Sequence, residues 1–159
     1  MVIGCSGSGK SVFSRKLRDA TGLSLYYLDM IWHKPDGTNI SREEFDKQLD
    51  SIISRDSWII DGNYQRTLET RIKACDTVFL FDLPTEICIE GALSRIGKKR
   101  EDMPWFEHEL DPEFRQWIES FRANQLPEVY RLLEKYKNNR EIVVFRTREQ
   151  ADKFIEKLV

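Results

Sequence analysis

Eight residues near the amino end, Gly4 to Ser11, contain three glycines, three serines and a lysine and match the pattern G-x-x-x-x-G-K-S. In such a loop, successive backbone N–H groups point into one hollow at the positive end of the following helix, where a polyphosphate binds. Lys10 is placed to reach the β- and γ-phosphates, and the Ser11 hydroxyl is placed to ligate Mg²⁺. We therefore expect ATP and Mg²⁺ to bind this segment, which we call the phosphate loop. The predicted nucleotide-binding residues are Gly7, Ser8, Gly9, Lys10, Ser11 and Val12.

Two aspartates follow apolar runs that are typical of buried strands. Asp29 comes directly after the run 23–28, and Asp61 comes after the run 57–60. Because ligands of open parallel sheets bind outside the carboxyl ends of the strands, both carboxylates are candidates for chemistry. A strand-end carboxylate can also serve only to cap a turn or a helix, and that interpretation stays open for both residues.

The composition is that of a single domain. The chain has 159 residues, 40% hydrophobic and 33% charged, and no apolar run is long enough to span a bilayer. The formal net charge of -2 argues against a large nucleic-acid-binding surface. The three cysteines are an odd number without metal-ligand spacing, which fits a reducing cytoplasm.

Apolar strand-like runs alternate with helical patterns along the whole chain. The five runs are 2–3, 23–28, 57–60, 77–81 and 141–145. This alternation predicts an α/β fold in three layers, with a five-stranded parallel sheet covered by helices on both faces. The first run is short, so we expect either that the natural chain begins upstream or that the fold tolerates a short central strand.

Two segments depart from the alternation. Residues from about 29 to 57 begin with loop residues before a capped helix, and we expect this insertion to bind an acceptor. Residues from about 97 to 113 are charged, contain proline and lack periodicity, and we expect them to form a short lid. Both belong to one domain spanning 1–159.

With these elements placed, the chain resembles small P-loop kinases related to adenylate kinase, and most closely the bacterial DNA topology modulation proteins. The segments that carry the resemblance are the phosphate loop, 28–32 with 34–35, 58–64, and 76–78 with Leu80, Asp82 and Pro84. The resemblance implies an adenylate kinase-like P-loop fold. It also implies transfer of the γ-phosphoryl of ATP to a small acceptor that carries a hydroxyl or a phosphate.

The resemblance also implies roles for individual residues. The run from Asp61 to Thr67, D-G-N-Y-Q-R-T, is similar to the D-G-F-P-R-T of adenylate kinase-like enzymes, in which the aspartate orients water on Mg²⁺ and the arginine holds an acceptor phosphate. Asp29 resembles the strand-end aspartate of shikimate and gluconate kinase-like enzymes, and a carboxylate there can accept the proton of a substrate hydroxyl. Arg95 matches the lid arginine by its place after F-D-x-P.

The expected site therefore has three overlapping groups of residues. The catalytic group is Lys10, Asp29, Asp61 and Arg95; the acceptor-binding group is Asp29, Asn63, Tyr64 and Arg66; and the metal-binding group is Ser11 and Asp61. Arg66 is one residue further from the aspartate than in the adenylate kinase pattern, so Arg71 is a rival for its role.

Two other functions remain open at this point. The chain could be a nucleotide-dependent regulatory or DNA-associated protein, as the family label suggests, although the net charge weighs against direct DNA contact. It could also be a slow ATPase without an acceptor. The sequence is compatible with a monomer or a homodimer.

Overall fold

Five short strands form a single parallel sheet in the computed structural model, which describes all residues from 1 to 159. The strands are β1 (Val2–Gly4), β2 (Leu25–Tyr27), β3 (Ile59–Asp61), β4 (Thr77–Phe81) and β5 (Glu141–Phe145). Their order across the sheet is β2-β3-β1-β4-β5, with every neighbouring pair parallel. The α/β class and the five-stranded parallel sheet are confirmed.

Eight helices connect the strands or follow them. They are α1 (Lys10–Thr21), α2 (Leu28–Trp32), α3 (Arg42–Ile53), α4 (Gln65–Ala74), α5 (Thr85–Ser94), α6 (Pro112–Asn124), α7 (Leu126–Tyr136) and α8 (Arg148–Glu156). Several ends follow local sequence rules, since the Ser41 hydroxyl caps α3 by accepting from the Glu44 N–H, and Gly22 ends α1 in a left-handed conformation. None of these helices is long and apolar enough to cross a membrane.

The packing of α1 on the sheet fixes the position of the phosphate loop. Phe13 of α1 lies among Phe79, Phe81 and Phe145, with ring centroids 5.0 to 5.4 Å apart. Such aromatic pairs contribute about 0.5–1.5 kcal/mol each beyond the area that they bury. The first turn of α1 is therefore held rigidly at the carboxyl end of β1.

The chain leaves the second strand earlier than the apolar run predicts. The run continues to Leu28, but β2 ends at Tyr27 and Leu28 begins the short helix α2. Leu28 is fully buried in a small cluster with Phe45, Leu49, Ile52 and Ile60. The Leu28 side chain therefore packs against α3. Asp29, the next residue, lies in the first turn of a helix rather than directly after a strand.

Asp82, at the end of β4, joins several elements. Its buried carboxylate accepts hydrogen bonds from Arg122 of α6, Tyr130 of α7 and Arg146 after β5. Arginine side chains often bind phosphate, but Arg122 and Arg146 are both paired with Asp82 here. The three partners hold the carboxyl edge of the sheet together on the side away from β2.

Candidate active site

The phosphate loop leads from β1 into α1 without a side-chain cap. Gly9 is the residue before the helix, with a φ of 107°, and no side chain accepts hydrogen bonds from the first amides of α1. The first N–H groups of a helix have no partner within the helix, so they are available to an anionic ligand. This geometry suits a polyphosphate.

Helix α5 holds the phosphate loop from the other side. A Cβ on Gly7 would lie 1.9 Å from the Cys88 carbonyl oxygen, and a Cβ on Gly91 would lie 2.0 Å from the Gly7 carbonyl oxygen. The Arg148 guanidinium also donates to the carbonyls of Gly7 (2.8 Å) and Ser8 (3.3 Å). Gly91 and Arg148 were not among the predicted site residues, although a glycine inside a helical pattern is a signal of close packing.

We expect Gly91→Ala to destabilise the protein and weaken nucleotide binding. Alanine would normally favour a helix by about 1 kcal/mol over glycine. Here its Cβ must displace the backbone of the phosphate loop, and overpacking of this kind costs about 1–3 kcal/mol. Thermal unfolding and titration with ATP measure both effects. Glu90→Ala, an exposed neighbour on α5, should change stability by less than about 0.5 kcal/mol.

A cavity of about 560 Å³, which we call the donor cavity, opens over the phosphate loop. Of the predicted nucleotide-binding residues, Gly7, Gly9, Lys10, Ser11 and Val12 line it, whereas Ser8 is fully buried. Its seven basic residues are Lys10, Arg15, Lys16, Arg95, Lys99, Arg100 and Arg148, against three acidic residues, Glu101, Asp102 and Asp152. This excess of positive charge suits a polyanion.

Asp61 lies at the end of β3 behind Lys10 and Ser11. It is only 4% exposed, and its Oδ2 has no hydrogen-bond partner. Burial raises the pKa of Asp61, while the Lys10 charge and the Ser11 hydroxyl act in the opposite direction. A carboxylate with an unused oxygen beside a serine hydroxyl fits Mg²⁺ or its bound water.

No group of three or more His, Cys, Asp or Glu side chains could hold a metal ion unaided. Mg²⁺ in nucleotide sites usually takes one or two protein groups and completes its shell with phosphate oxygens and water. Ser11 and Asp61 are the residues that would hold it here.

A second cavity of about 250 Å³, which we call the acceptor cavity, lies beside the donor cavity. Asp29, Asn63 and Tyr64 line it, and the Tyr64 hydroxyl donates to Asp29 Oδ1 at 2.7 Å. Burial and the Asp29 charge raise the pKa of Tyr64, so the phenol stays protonated and keeps donating. The Asp29 carboxylate, which is partly exposed, retains a second oxygen that can accept from a ligand.

The loop after β3 depends on a buried arginine. Tyr64 has a φ of 35°, in the left-handed region that few residues other than glycine adopt. The fully buried Arg71 guanidinium donates to the carbonyls of Gly62 (2.8 Å), Asn63 and Tyr64 (3.1 Å). Burial lowers the pKa of Arg71 to about 9, which leaves it protonated at neutral pH. Arg71 therefore holds the backbone that presents Tyr64.

The two arginines considered for an acceptor phosphate both lie outside the acceptor cavity. Arg71 is used by the backbone carbonyls, and Arg66 forms a paired contact with Asp46 of α3 at 2.7 and 3.0 Å. Arg66 instead lines a separate surface cavity with Trp32 and the other side of Tyr64.

Asn63 lines the acceptor cavity, but its Oδ1 accepts from the Gly4 N–H at 2.9 Å.

Arg95 ends α5 and reaches back to the phosphate loop. Its Nη2 donates to the Ser6 hydroxyl at 2.9 Å, and its buried Nε has no partner. Burial and the nearby Arg100 charge lower the pKa of Arg95. An arginine with a buried N–H group that lacks a partner is well suited to donate to a phosphoryl oxygen.

The segment between α5 and α6 is held by charged contacts within itself and with α1. Arg100 pairs with Asp102 (2.7 and 3.1 Å) and Glu107 (2.9 Å), and Glu101 accepts from Arg18 of α1 (2.6 Å). Although burial opposes the ionisation of Asp102, the Arg100 guanidinium lowers the pKa of that carboxyl below its usual value.

This segment also contacts the part of the chain that carries Asp29. The Trp105 ring meets the His33 ring edge to face, with centroids 4.6 Å apart. The segment thus contacts both the helix that follows the phosphate loop and one wall of the acceptor cavity.

Lys10, Arg95 and Arg100 line both the donor cavity and the acceptor cavity. The cavities therefore meet at three cations, where negative charge passing from one ligand to another would be stabilised. Asp29 lines only the acceptor cavity, whereas Ser11 lines only the donor cavity.

Comparison with known proteins identifies solved structures with a similar fold. No family model matches the chain, and no curated protein matches it. A sugar kinase from Janibacter sp. HTCC2649 superposes with a TM-score of 0.51 and 21% identity, over 98% of this chain and 88% of that one. A gluconokinase from Sinorhizobium meliloti 1021 superposes with a TM-score of 0.55 and 14% identity, over 99% and 86%. The chain therefore shares its α/β fold with these two kinase structures.

Proposed function

We propose that this protein is a kinase that transfers the γ-phosphoryl group of ATP to a hydroxyl of a small molecule. The observation that carries the proposal is the meeting of the donor and acceptor cavities at Lys10, Arg95 and Arg100. Phosphoryl transfer requires little covalent participation by the protein and depends on positioning and positive charge. A nucleotide on the phosphate loop would direct its γ-phosphoryl towards these cations.

The transfer would proceed by in-line displacement. The acceptor hydroxyl oxygen forms a bond to the γ-phosphorus, and the bond from that phosphorus to the β–γ bridging oxygen breaks, so ADP leaves with the electron pair. The hydroxyl proton passes to the free oxygen of Asp29, whose other oxygen is held by Tyr64. Lys10 and Arg95 stabilise the charge on the moving phosphoryl group, and bound Mg²⁺ would neutralise charge on the β- and γ-phosphates.

The proposal also covers the related proteins, the phosphoryl donor, the lid and the cellular location of the enzyme. We propose an adenylate kinase-like phosphotransferase related to the DNA topology modulation proteins, with ATP and Mg²⁺ as its donor and residues 97–113 as its lid. A cytoplasmic location is supported by three cysteines, which are all buried and free. The kinase activity of the two structural neighbours adds support to the reaction class.

Acceptor-dependent release of ADP is the experiment that tests this function. The purified protein with Mg²⁺ and ATP is screened against nucleosides, nucleoside monophosphates, sugars and sugar acids. We expect ADP release to rise at least about ten-fold above the acceptor-free rate with one compound class, and Asp29→Asn to remove most of that increase while ATP binding persists. An identical rate with every compound would indicate a slow ATPase, and a salt-dependent DNA complex without such stimulation would favour a regulatory protein.

A further inference from the structure

We infer that the acceptor is an uncharged ring compound that bears hydroxyl groups, rather than a compound with its own phosphate or carboxylate. This inference rests on the proposed function and specifies the substrate class of the same site. Its basis is the distribution of charged and aromatic side chains around the acceptor cavity.

Every lysine and arginine of the acceptor cavity is shared with the donor cavity. Lys10, Arg95 and Arg100 line both cavities, so a bound triphosphate competes for them. Arg100 is also neutralised by Asp102 and Glu107. With a nucleotide present, no lysine or arginine of the acceptor cavity remains for an anionic group on the acceptor.

Apart from Tyr64, the titratable side chains that line the acceptor cavity alone are Asp29 and His33, and His33 Nε2 lies 4.0 Å from Asp29 Oδ1. Asp29 lines this cavity and not the donor cavity. An acceptor anion about 4 Å from this carboxylate would be repelled, which should weaken its binding by about ten-fold or more. Arg66, which would otherwise offset this repulsion, is held by Asp46 outside the cavity, and Arg71 is bonded to three backbone carbonyls.

The apolar part of the cavity lining consists of Met103, Phe114 and Trp117. Phe114 and Trp117 of α6 stack with centroids 5.9 Å apart and planes inclined by 10°, and Met103 lies beside them in the cavity lining. A ring can pack its face on such a wall while its hydroxyls face Asp29 and Tyr64. The volume of about 250 Å³ is below the range of about 300–1,000 Å³ that is usual for drug-sized ligands, which favours a small compound.

Matched pairs of acceptors test the inference. ADP release at saturating Mg²⁺ and ATP is measured for the neutral methyl ester of a hexuronic acid against the free hexuronate, both of which keep the sugar ring, and for a nucleoside against its 3′-monophosphate, which keeps the 5′-hydroxyl. We expect the neutral member of the active pair to have a kcat/KM at least about ten-fold higher. The pair that responds distinguishes a sugar acceptor from a nucleoside acceptor.

A charge-introducing variant sharpens this test. Phe114→Arg adds a cation that only the acceptor cavity contains, and we expect it to reduce the preference for the neutral member by about ten-fold. Gln116→Arg adds the same charge to an exposed position of α6 and should leave the preference unchanged. Thermal unfolding verifies that both variants are folded, and Met103→Lys serves as a second charge-introducing variant if Phe114→Arg does not fold.

The outcomes separate the inference from the proposed function. Equal or faster turnover of the anionic members would overturn the inference and leave the kinase assignment standing. An unchanged preference in a folded charge-introducing variant would also overturn it. Absence of ADP release above the acceptor-free rate with every compound would overturn the kinase assignment and the inference with it.

Discussion

Replacing Lys10 by alanine is expected to abolish acceptor-dependent ADP release and to weaken ATP binding. Lys10 lines both cavities, so its ammonium is placed to contact the γ-phosphoryl before, during and after transfer. Loss of one preorganised group of this kind typically lowers kcat by about 10²–10³-fold. The measurement is steady-state ADP release, together with a calorimetric titration of ATP in the presence of Mg²⁺.

Lys47→Ala provides a matched control, because Lys47 is an exposed lysine of α3 that lines neither cavity. Its activity should equal that of the unmodified protein. Unaltered turnover in Lys10→Ala would contradict both the nucleotide site and the mechanism, since no other lysine lines both cavities.

The second large effect is expected from Asp61→Asn, which should lower Mg²⁺-dependent activity while leaving most of the ATP affinity. Asparagine keeps the shape of the side chain but removes the negative charge that would hold Mg²⁺ or its water. Removal of residues that orient a metal and its ligands costs about 10–100-fold in metal affinity or activity. A titration of activity with Mg²⁺ measures the loss, and an unchanged Mg²⁺ midpoint together with unchanged activity at saturating Mg²⁺ would contradict the metal role.

The same substitution should stabilise the unliganded protein. Because burial raises the pKa of Asp61, ionisation is less favourable in the folded state than in the unfolded chain. The contribution of Asp61 to stability is therefore most favourable below the unfolded pKa of about 4 and is lost as the pH rises through the folded pKa. We expect the Tm of Asp61→Asn to exceed that of the unmodified protein at neutral pH, and the difference to shrink in acid. Thermal unfolding across this pH range measures it.

The phosphate loop and the sheet could be predicted because their signals are local. The pattern from Gly4 to Ser11 needs one glycine-rich turn before one helix, and each strand overlaps an apolar run that is visible by itself. The early end of β2 could not be predicted in this way. Leu28 continues the apolar run, and only its burial against α3 shows that it belongs to a helix.

The hydrogen-bond partners of the arginines could not be predicted from the local sequence. Arg66 pairs with Asp46, twenty positions earlier, and Arg95 reaches Ser6 across 89 positions. Arg71 could be named as a rival for Arg66, but its three carbonyl partners depend on the left-handed turn at Tyr64. That turn could not be predicted, because the residue in the left-handed conformation is a tyrosine and not a glycine. Charged side chains carry no periodic signal of their partners, so their pairing emerges only from the folded chain.

The contact between Trp105 and His33 offers a built-in optical reporter. The indole emits, and its emission depends on the group against which it packs, so separation of these rings would change intrinsic fluorescence without any attached dye. A version of the protein that keeps Trp105 as its sole tryptophan would let stopped-flow mixing with nucleotide test whether residues 97–113 move on binding, and at what rate.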